Sequence, residues 1–95
     1  MKKIRIEALT QKGQEVMKID DEKVPKHMKV SLKLIGLKQK VISEEPYIVE
    51  ITFSKKMPNI INNVIDQMAT SLTGRFKDEG AIDGKDFVVR IVEDT

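Results

Sequence analysis

Residues whose side chains commonly catalyse reactions or bind metals are few in this chain. His27 is the only histidine, and there is no cysteine. Because a metal site needs several ligands at defined spacing, a lone histidine is better explained as a surface residue. Asp78, Asp83 and Asp86 lie among glycines, but they lack the alternating spacing and terminal glutamate of a calcium loop. We therefore expect no catalytic residue, no metal site, no cofactor and no enzymatic activity.

The basic residues offer a different chemistry, the binding of an anion. Residues 1–40 carry 11 Lys or Arg against 5 Asp or Glu, and residues 41–95 carry 6 against 10, so net charges of +6 and −4 add to the +2 of the chain. This asymmetry is typical of an anion-binding face, of two copies in charge-complementary contact, or of a solvated lysine-rich surface. The residues predicted to contact an anion or a nucleic acid are Lys3, Arg5, Lys18, Lys29, Lys33, Lys55 and Lys56.

A nucleic acid bound by these residues would be held through its phosphates. Lys and Arg on the face of a sheet can neutralise phosphates and release counterions. The chain has one tyrosine and three phenylalanines, most of them at predicted core positions, which leaves few rings for stacking on bases. We therefore expect any such binding to be weak and directed at the backbone.

The elements that position these residues follow from the spacing of the apolar side chains. Alternation of apolar and polar residues predicts strands over 2–10, 14–19, 28–35, 47–53 and 87–92. Steps of three and four residues from Pro58 to Phe76 predict one amphipathic helix, beginning at Pro58 or capped by Asn59. The strands before and after this helix are expected to be neighbours near the sheet centre.

The predicted fold is a single α+β domain over residues 1–95. It consists of one twisted, mainly antiparallel sheet of about five strands, in the order β-β-β-β-α-β, covered on one face by a single amphipathic helix. The predicted core residues are Tyr47, Val49, Ile51, Phe53, Ile61, Ile65, Met68, Leu72, Phe87, Val89 and Ile91.

The second face of this sheet is predicted to be partly apolar. Ile48, Val88 and Val92 lie in the opposite phase from the core residues of their strands. If they form a contiguous patch near the sheet centre, they favour a sheet-to-sheet or edge-to-edge dimer. The alternative is that a loop or the segment 36–45 folds over them. We take Ile48, Val88 and Val92 as the predicted interaction face.

Location and function follow from what the sequence contains. Residues 1–7 alternate polar with apolar side chains, unlike a signal peptide, and no apolar stretch is long enough to span a membrane. We expect a soluble, cytoplasmic protein without membrane contact, since a cysteine-free chain is compatible with a reducing interior. The predicted function is a small non-enzymatic interaction or assembly module, a homodimer or a binder of another protein. The alternative is a weak, backbone-directed nucleic-acid-binding protein using a basic N-terminal strand face.

Overall fold

The computed structural model describes residues 2–34, 36–53 and 58–93 as three helices and four strands, with the backbone alone described at 32 and 58–62. In chain order the elements are β1 (Lys2–Ala8), α1 (Gln11–Lys23), α2 (Lys26–Leu34), β2 (Lys38–Glu44), β3 (Tyr47–Thr52), α3 (Pro58–Asp78) and β4 (Phe87–Glu93). The predicted α+β class with one mainly antiparallel sheet is confirmed, with four strands for about five and three helices for one.

The sheet has the strand order β2-β3-β1-β4, and every neighbouring pair is antiparallel. β1 therefore lies between β3 and β4, which run parallel to each other. This is the split βαβ arrangement of ferredoxin-like folds, with α1 and α2 together forming the first connection. The prediction that the strands flanking the long helix are neighbours at the centre is wrong, because β1 is inserted between them and β4 lies at an edge.

Residues 14–19 belong to α1, so the prediction of a strand there is wrong. The hydroxyl oxygen of Thr10 caps the helix by accepting a hydrogen bond from the Gly13 N–H at 3.2 Å. The buried residues of α1 follow helical spacing along one side, and they are Gly13, Val16, Met17 and Asp20. The threonine cap and this stripe outweigh the tendency of the glycine to form a turn.

The predicted strand over 28–35 is also wrong, because these residues lie in α2, except for Ile35, which is outside the described residues. Val30 and Leu34 alternate with polar neighbours as in a strand, but they are also four residues apart, on one face of a helix. A short alternating pattern contains such pairs, so it does not distinguish the two structures.

α3 begins at Pro58, in agreement with the predicted start of the long helix. A proline suits the first helical position because its missing N–H would have no partner within the helix. After the helix, Gly80 has a φ of 100°, a left-handed conformation that glycine adopts without strain. α3 is joined to α1 by an ion pair between Arg75 and Asp20, at 3.0 Å, and the turn after α3 is joined to α1 by one between Glu79 and Lys23, at 2.6 Å.

The core lies between one face of the sheet and helices α1 and α3. The rings of Phe76 and Phe87 meet edge to face with centroids 5.2 Å apart. Of the predicted core residues, Val49, Ile51, Phe53, Ile65, Leu72 and Phe87 are buried, and Tyr47, Met68 and Val89 are partly buried against them. Ile91 is 41% exposed, so its prediction is wrong, because β4 is an edge strand. The Ile61 side chain is outside the described part.

A junction around Asp86 connects the start of β4 to the start of α1. The Asp86 carboxylate accepts hydrogen bonds from the Thr10 hydroxyl at 2.7 Å and from the Ile82 N–H at 2.8 Å. These two hydrogen bonds lower the pKa of Asp86. The backbone of Gly13 lies so close that a Cβ there would overlap the Asp86 carbonyl. Asp86 is therefore a structural residue, consistent with turn chemistry at this segment.

Candidate interaction surfaces

The sheet face opposite α1 and α3, called the open face below, carries residues of all four strands. Directly opposed residues of antiparallel strands share a face, so the strand register arranges the open face in three rows. From β2 to β4 these rows contain Ser43, Ile48, Glu7 and Val88; Lys40, Glu50, Arg5 and Arg90; and Lys38, Thr52, Lys3 and Val92. Five cationic side chains and two carboxylates give the open face a net charge of +3.

Glu50 is buried in the middle of this face, with 6% of the residue exposed. Arg5 donates hydrogen bonds to one of its carboxylate oxygens at 2.7 and 2.9 Å, and Lys3 lies 3.0 Å from the other. Desolvation by burial alone would raise the pKa of Glu50, but the hydrogen bonds from Arg5 and Lys3 outweigh it, and the pKa is lowered. The ion pairs hold the two central strands together and partly neutralise two of the five cations.

The predicted interaction residues Ile48, Val88 and Val92 all lie on the open face and are half-buried. They do not form the predicted contiguous patch, because Glu7 separates Ile48 from Val88 across the sheet and Arg90 separates Val88 from Val92 along β4. Ile48 is isolated on β3, whereas the two valines lie on the edge strand.

The segment 36–45 does not fold over the open face as the alternative proposed. Its residues Lys38–Glu44 form β2, which extends the sheet beside β3. The open face is therefore widened by this segment and remains uncovered by it.

The predicted basic contacts fall on different elements. Lys3 and Arg5 lie on the open face, where Glu50 engages both. Lys18 lies on α1, with its ammonium 5.3 Å from the centre of the Tyr47 ring, a cation–π distance. The structure therefore does not bring Lys18 onto the same surface as Lys3.

Lys29 and Lys33 lie on α2, so the prediction that they extend a basic strand face is wrong. The Lys29 ammonium is 3.6 Å from the Asp21 carboxylate of α1. Lys55 and Lys56 lie outside the described residues.

The open face carries three cations that the sequence analysis did not include, and they are Lys38, Lys40 and Arg90. Arg90 shares the phase of Val88 and Val92, and this shared phase was the signal that could have identified it. Lys38 and Lys40 are two residues apart, but their face became evident only once β2 was placed beside β3.

The two edge strands of the sheet differ in sequence and in regularity. β2 carries Lys38 and Lys40, is exposed along almost its whole length, and has a register shift between Val41 and Ser43. Lysines and bulges are devices that prevent an edge from pairing with another chain. β4 contains no lysine and pairs with β1 over all seven of its residues without a shift. β4 is therefore the edge suited to pairing.

α2 also leaves apolar side chains in solvent. Leu34 is 83% exposed and Val30 is 57% exposed, on the same side of the helix. Single exposed apolar residues are common on protein surfaces, so they do not by themselves identify a partner.

The described part of the chain contains no cluster of metal-binding side chains. Within residues 2–34, 36–53 and 58–93, no group of three or more His, Cys, Asp or Glu is placed to hold a metal ion. A hollow lined by Ala69, Thr70, Thr73, Gly74 and Lys77 is a groove along α3 alone. None of the helices described here is both long and apolar enough to cross a membrane.

Comparison of the chain with protein families, with curated proteins and with solved structures finds no match. A functional assignment therefore has to rest on the surfaces of the protein itself.

Proposed function

We propose that the protein is a small, non-enzymatic interaction module that self-associates through the β4 edge of its sheet. The observation that carries this proposal is the difference between the two edges. β4 is a regular, mainly apolar strand whose outer side is unpaired from Val88 onward in the described part of the chain, and Val88 and Val92 lie half-buried beside that side. Pairing with a second copy would cover both valines and Ile91, which is 41% exposed.

Charge favours this edge over stacking of two open faces. Each open face carries five cations and two carboxylates, so two of them in contact would bring net charges of +3 together. Edge pairing places the two faces side by side, with most of their charges apart and in solvent. Edge-to-edge association is therefore the form of dimer that we propose.

Sedimentation equilibrium over a range of concentrations tests the proposal. The wild-type chain should approach twice its 10.8 kDa mass as concentration rises. Val88→Lys should weaken the association about tenfold or more, because it puts a lysine on the pairing edge while facing Glu7 favourably within the chain. Ile42→Lys on β2, where Ile42 is 47% exposed, is the matched control and should have no effect. A wild-type chain that stays monomeric at every concentration would refute the proposal.

A second candidate function is weak binding of a nucleic-acid backbone by the open face. The net charge of +3 on a flat surface supports it, because lysine and arginine side chains can neutralise successive phosphates. The twelve open-face positions contain no aromatic residue to stack on bases, so this binding would not depend on base identity. Lys38, Lys40 and Arg90 are the cations of this face least engaged by Glu50.

An NMR titration with a mixed-sequence oligonucleotide, single- and double-stranded, tests this second function. Shifts should appear around Lys38, Lys40 and Arg90 at low salt and fade at physiological salt. Lys38→Glu with Lys40→Glu should abolish them. Lys29→Glu with Lys33→Glu makes the same change in net charge on α2 and should leave the shifts unchanged. Equal losses in both double variants, or no shifts at low salt, would rule out the open face as the site.

The proposal includes a cytoplasmic location without membrane contact. It is supported by the cysteine-free sequence, which suits a reducing compartment. Fractionation of cells expressing the full chain would test it, and recovery with the membrane fraction would contradict it.

A further inference from the structure

We infer that β4 pairs with β4 of a second copy in one antiparallel register, with a twofold axis at Arg90 and Val88 of each copy opposite Val92 of the other. This inference rests on the proposed self-association and adds to it the residues in contact. It follows from the direction of the backbone groups, the part of the strand that is free and the side chains that the register brings together.

The backbone groups of β4 divide between β1 and the free edge. The Leu9 N–H donates to the Asp86 carbonyl at 2.9 Å, next to the opposed pair Ala8 and Phe87. Because hydrogen-bonded and non-hydrogen-bonded pairs alternate, Val88 and its even-numbered successors turn their backbone groups towards β1. The odd-numbered residues turn theirs outward.

The outward groups are those of Phe87, Val89, Ile91 and Glu93. The Gly84 N–H donates to the Phe87 carbonyl at 2.8 Å, a contact made on the outer side of the strand. The N–H groups of Val89, Ile91 and Glu93 then point outward from the free edge. They are the donors that a second strand would bond.

The free part of the strand and its apolar residues select the register. When two sheets join edge to edge with their open faces on one side, even-numbered residues must lie opposite even-numbered residues. The outer side of Phe87 is already paired with Asp83 and Gly84, so the free part of the strand begins at Val88. Among the registers that satisfy the condition, the one with Val88 opposite Val92 sets all four half-exposed apolar residues of this part opposite one another. A shift of two positions in either direction sets Arg90 opposite Val88 or Val92 instead.

The side chains meet in pairs on both faces of the joined sheet in this register. Val88 faces Val92 of the other copy twice on the open face, in non-hydrogen-bonded pairs where side chains are closest. Val89 faces Ile91 twice on the helix-covered face. The half-exposed apolar residues of β4 thus meet one another.

One contact opposes the dimer, since Arg90 lies opposite Arg90 of the second copy. Like charges directly opposite in a sheet are destabilising, so association should be weaker than the apolar contacts alone would give. This repulsion distinguishes the proposed register from an interface that is apolar only, because removing the charge of Arg90 should strengthen the dimer.

Closure limits the assembly to two copies. In the joined eight-stranded sheet both outer edges are β2, with Lys38, Lys40 and the register shift. These features oppose the addition of further strands. The expected species is a twofold symmetric dimer.

A charge-complementation experiment tests the register. Val88→Lys and Val92→Glu each introduce a charge that suits its own neighbour, Glu7 or Lys3. Each single variant should dimerise about tenfold or more weakly than wild type. Mixing the two variants should restore a heterodimer, because the new ammonium then faces the new carboxylate across the interface. Positions 88 and 92 are roughly 13 Å apart along one strand, so this restoration cannot arise within one chain.

Sedimentation equilibrium of each variant and of the mixture, with NMR spectra to confirm folding, gives separable outcomes. A monomeric wild type would overturn both the self-association and the register. A dimeric wild type whose single variants dimerise normally, or whose folded variants fail to associate when mixed, would overturn the register alone. Arg90→Gln should tighten the dimer about threefold, and an unchanged or weaker dimer would exclude the axis at Arg90.

Discussion

The two edges of the sheet, β2 and β4, show how one protein can protect one edge and leave the other available. β2 has two lysines and a register shift, and its side chains are mostly exposed. β4 is regular, and its first residue, Phe87, is fully buried against Phe76. Edge position alone therefore does not identify an interface, because the chemistry of the edge decides whether a second strand can add.

The edges also differ in how they are attached to the rest of the fold. β4 starts at the Asp86 junction, which ties it to the cap of α1. β2 instead starts four residues after α2, a helix with exposed apolar side chains. A regular strand fixed at one end is better preorganised for pairing than an exposed strand with a bulge.

Disrupting the Asp86 junction, which attaches β4 to α1, should destabilise the fold most. Gly13→Ala would force a methyl group against the Asp86 carbonyl, and we expect a loss of about 2–3 kcal/mol in the free energy of unfolding. Gly74→Ala is the matched control, since a Cβ there meets nothing within 4 Å, and it should gain about 0.5–1 kcal/mol. Urea denaturation measures both changes. Equal stability of the two variants would show that the junction does not constrain β4.

A smaller effect distinguishes the centre of the sheet from its edges. Glu50→Gln weakens the pairing of β1 with β3, and we expect a loss of about 1 kcal/mol at neutral pH, modest because Arg5 is partly exposed. Dimerisation through β4 should be unaffected. Glu7→Gln, between Ile48 and Val88 on the same face, is the control and should cost less.

The pH dependence of this loss has a defined sign. The pKa of Glu50 is lowered from its ordinary value of 4.5, so its ion pairs stabilise the fold above that pH. The contribution disappears as the pH falls below 4.5 and through the lowered pKa. Urea denaturation of wild type and Glu50→Gln should therefore give converging stabilities in acid. A difference that persists at low pH would assign the loss to packing.

The smallest effect concerns the protected edge. Lys38→Val with Lys40→Val, made in the Val88→Lys background, removes two protective charges while β4 pairing is already weakened. We expect a slight increase in association by light scattering, limited by the register shift that remains in β2. Unchanged scattering would mean that the bulge protects this edge without help from the lysines.

Sequence patterns predicted the elements whose periodicity extends over a long segment. The helix beginning at Pro58, and the strands β1, β3 and β4, lie where the apolar spacing put them. The shorter patterns over 14–19 and 28–35 failed, since a few alternating residues also satisfy helical spacing. As a result Lys29 and Lys33 were assigned to a strand face.

The candidate site was predicted in part. The phase of Ile48, Val88 and Val92 correctly placed them on the face away from the helices. The same phase contains Glu50 and Arg90, whose charges interrupt the apolar surface.

The amino-acid sequence is enough to predict the α+β class, the long helix and the phase of the residues along β1, β3 and β4, because these depend on local spacing. The position of β1 between β3 and β4, which makes β4 an edge, became evident from the three-dimensional structure. Strand order depends on contacts between segments far apart in the chain. No local pattern encodes which strand will have a free side.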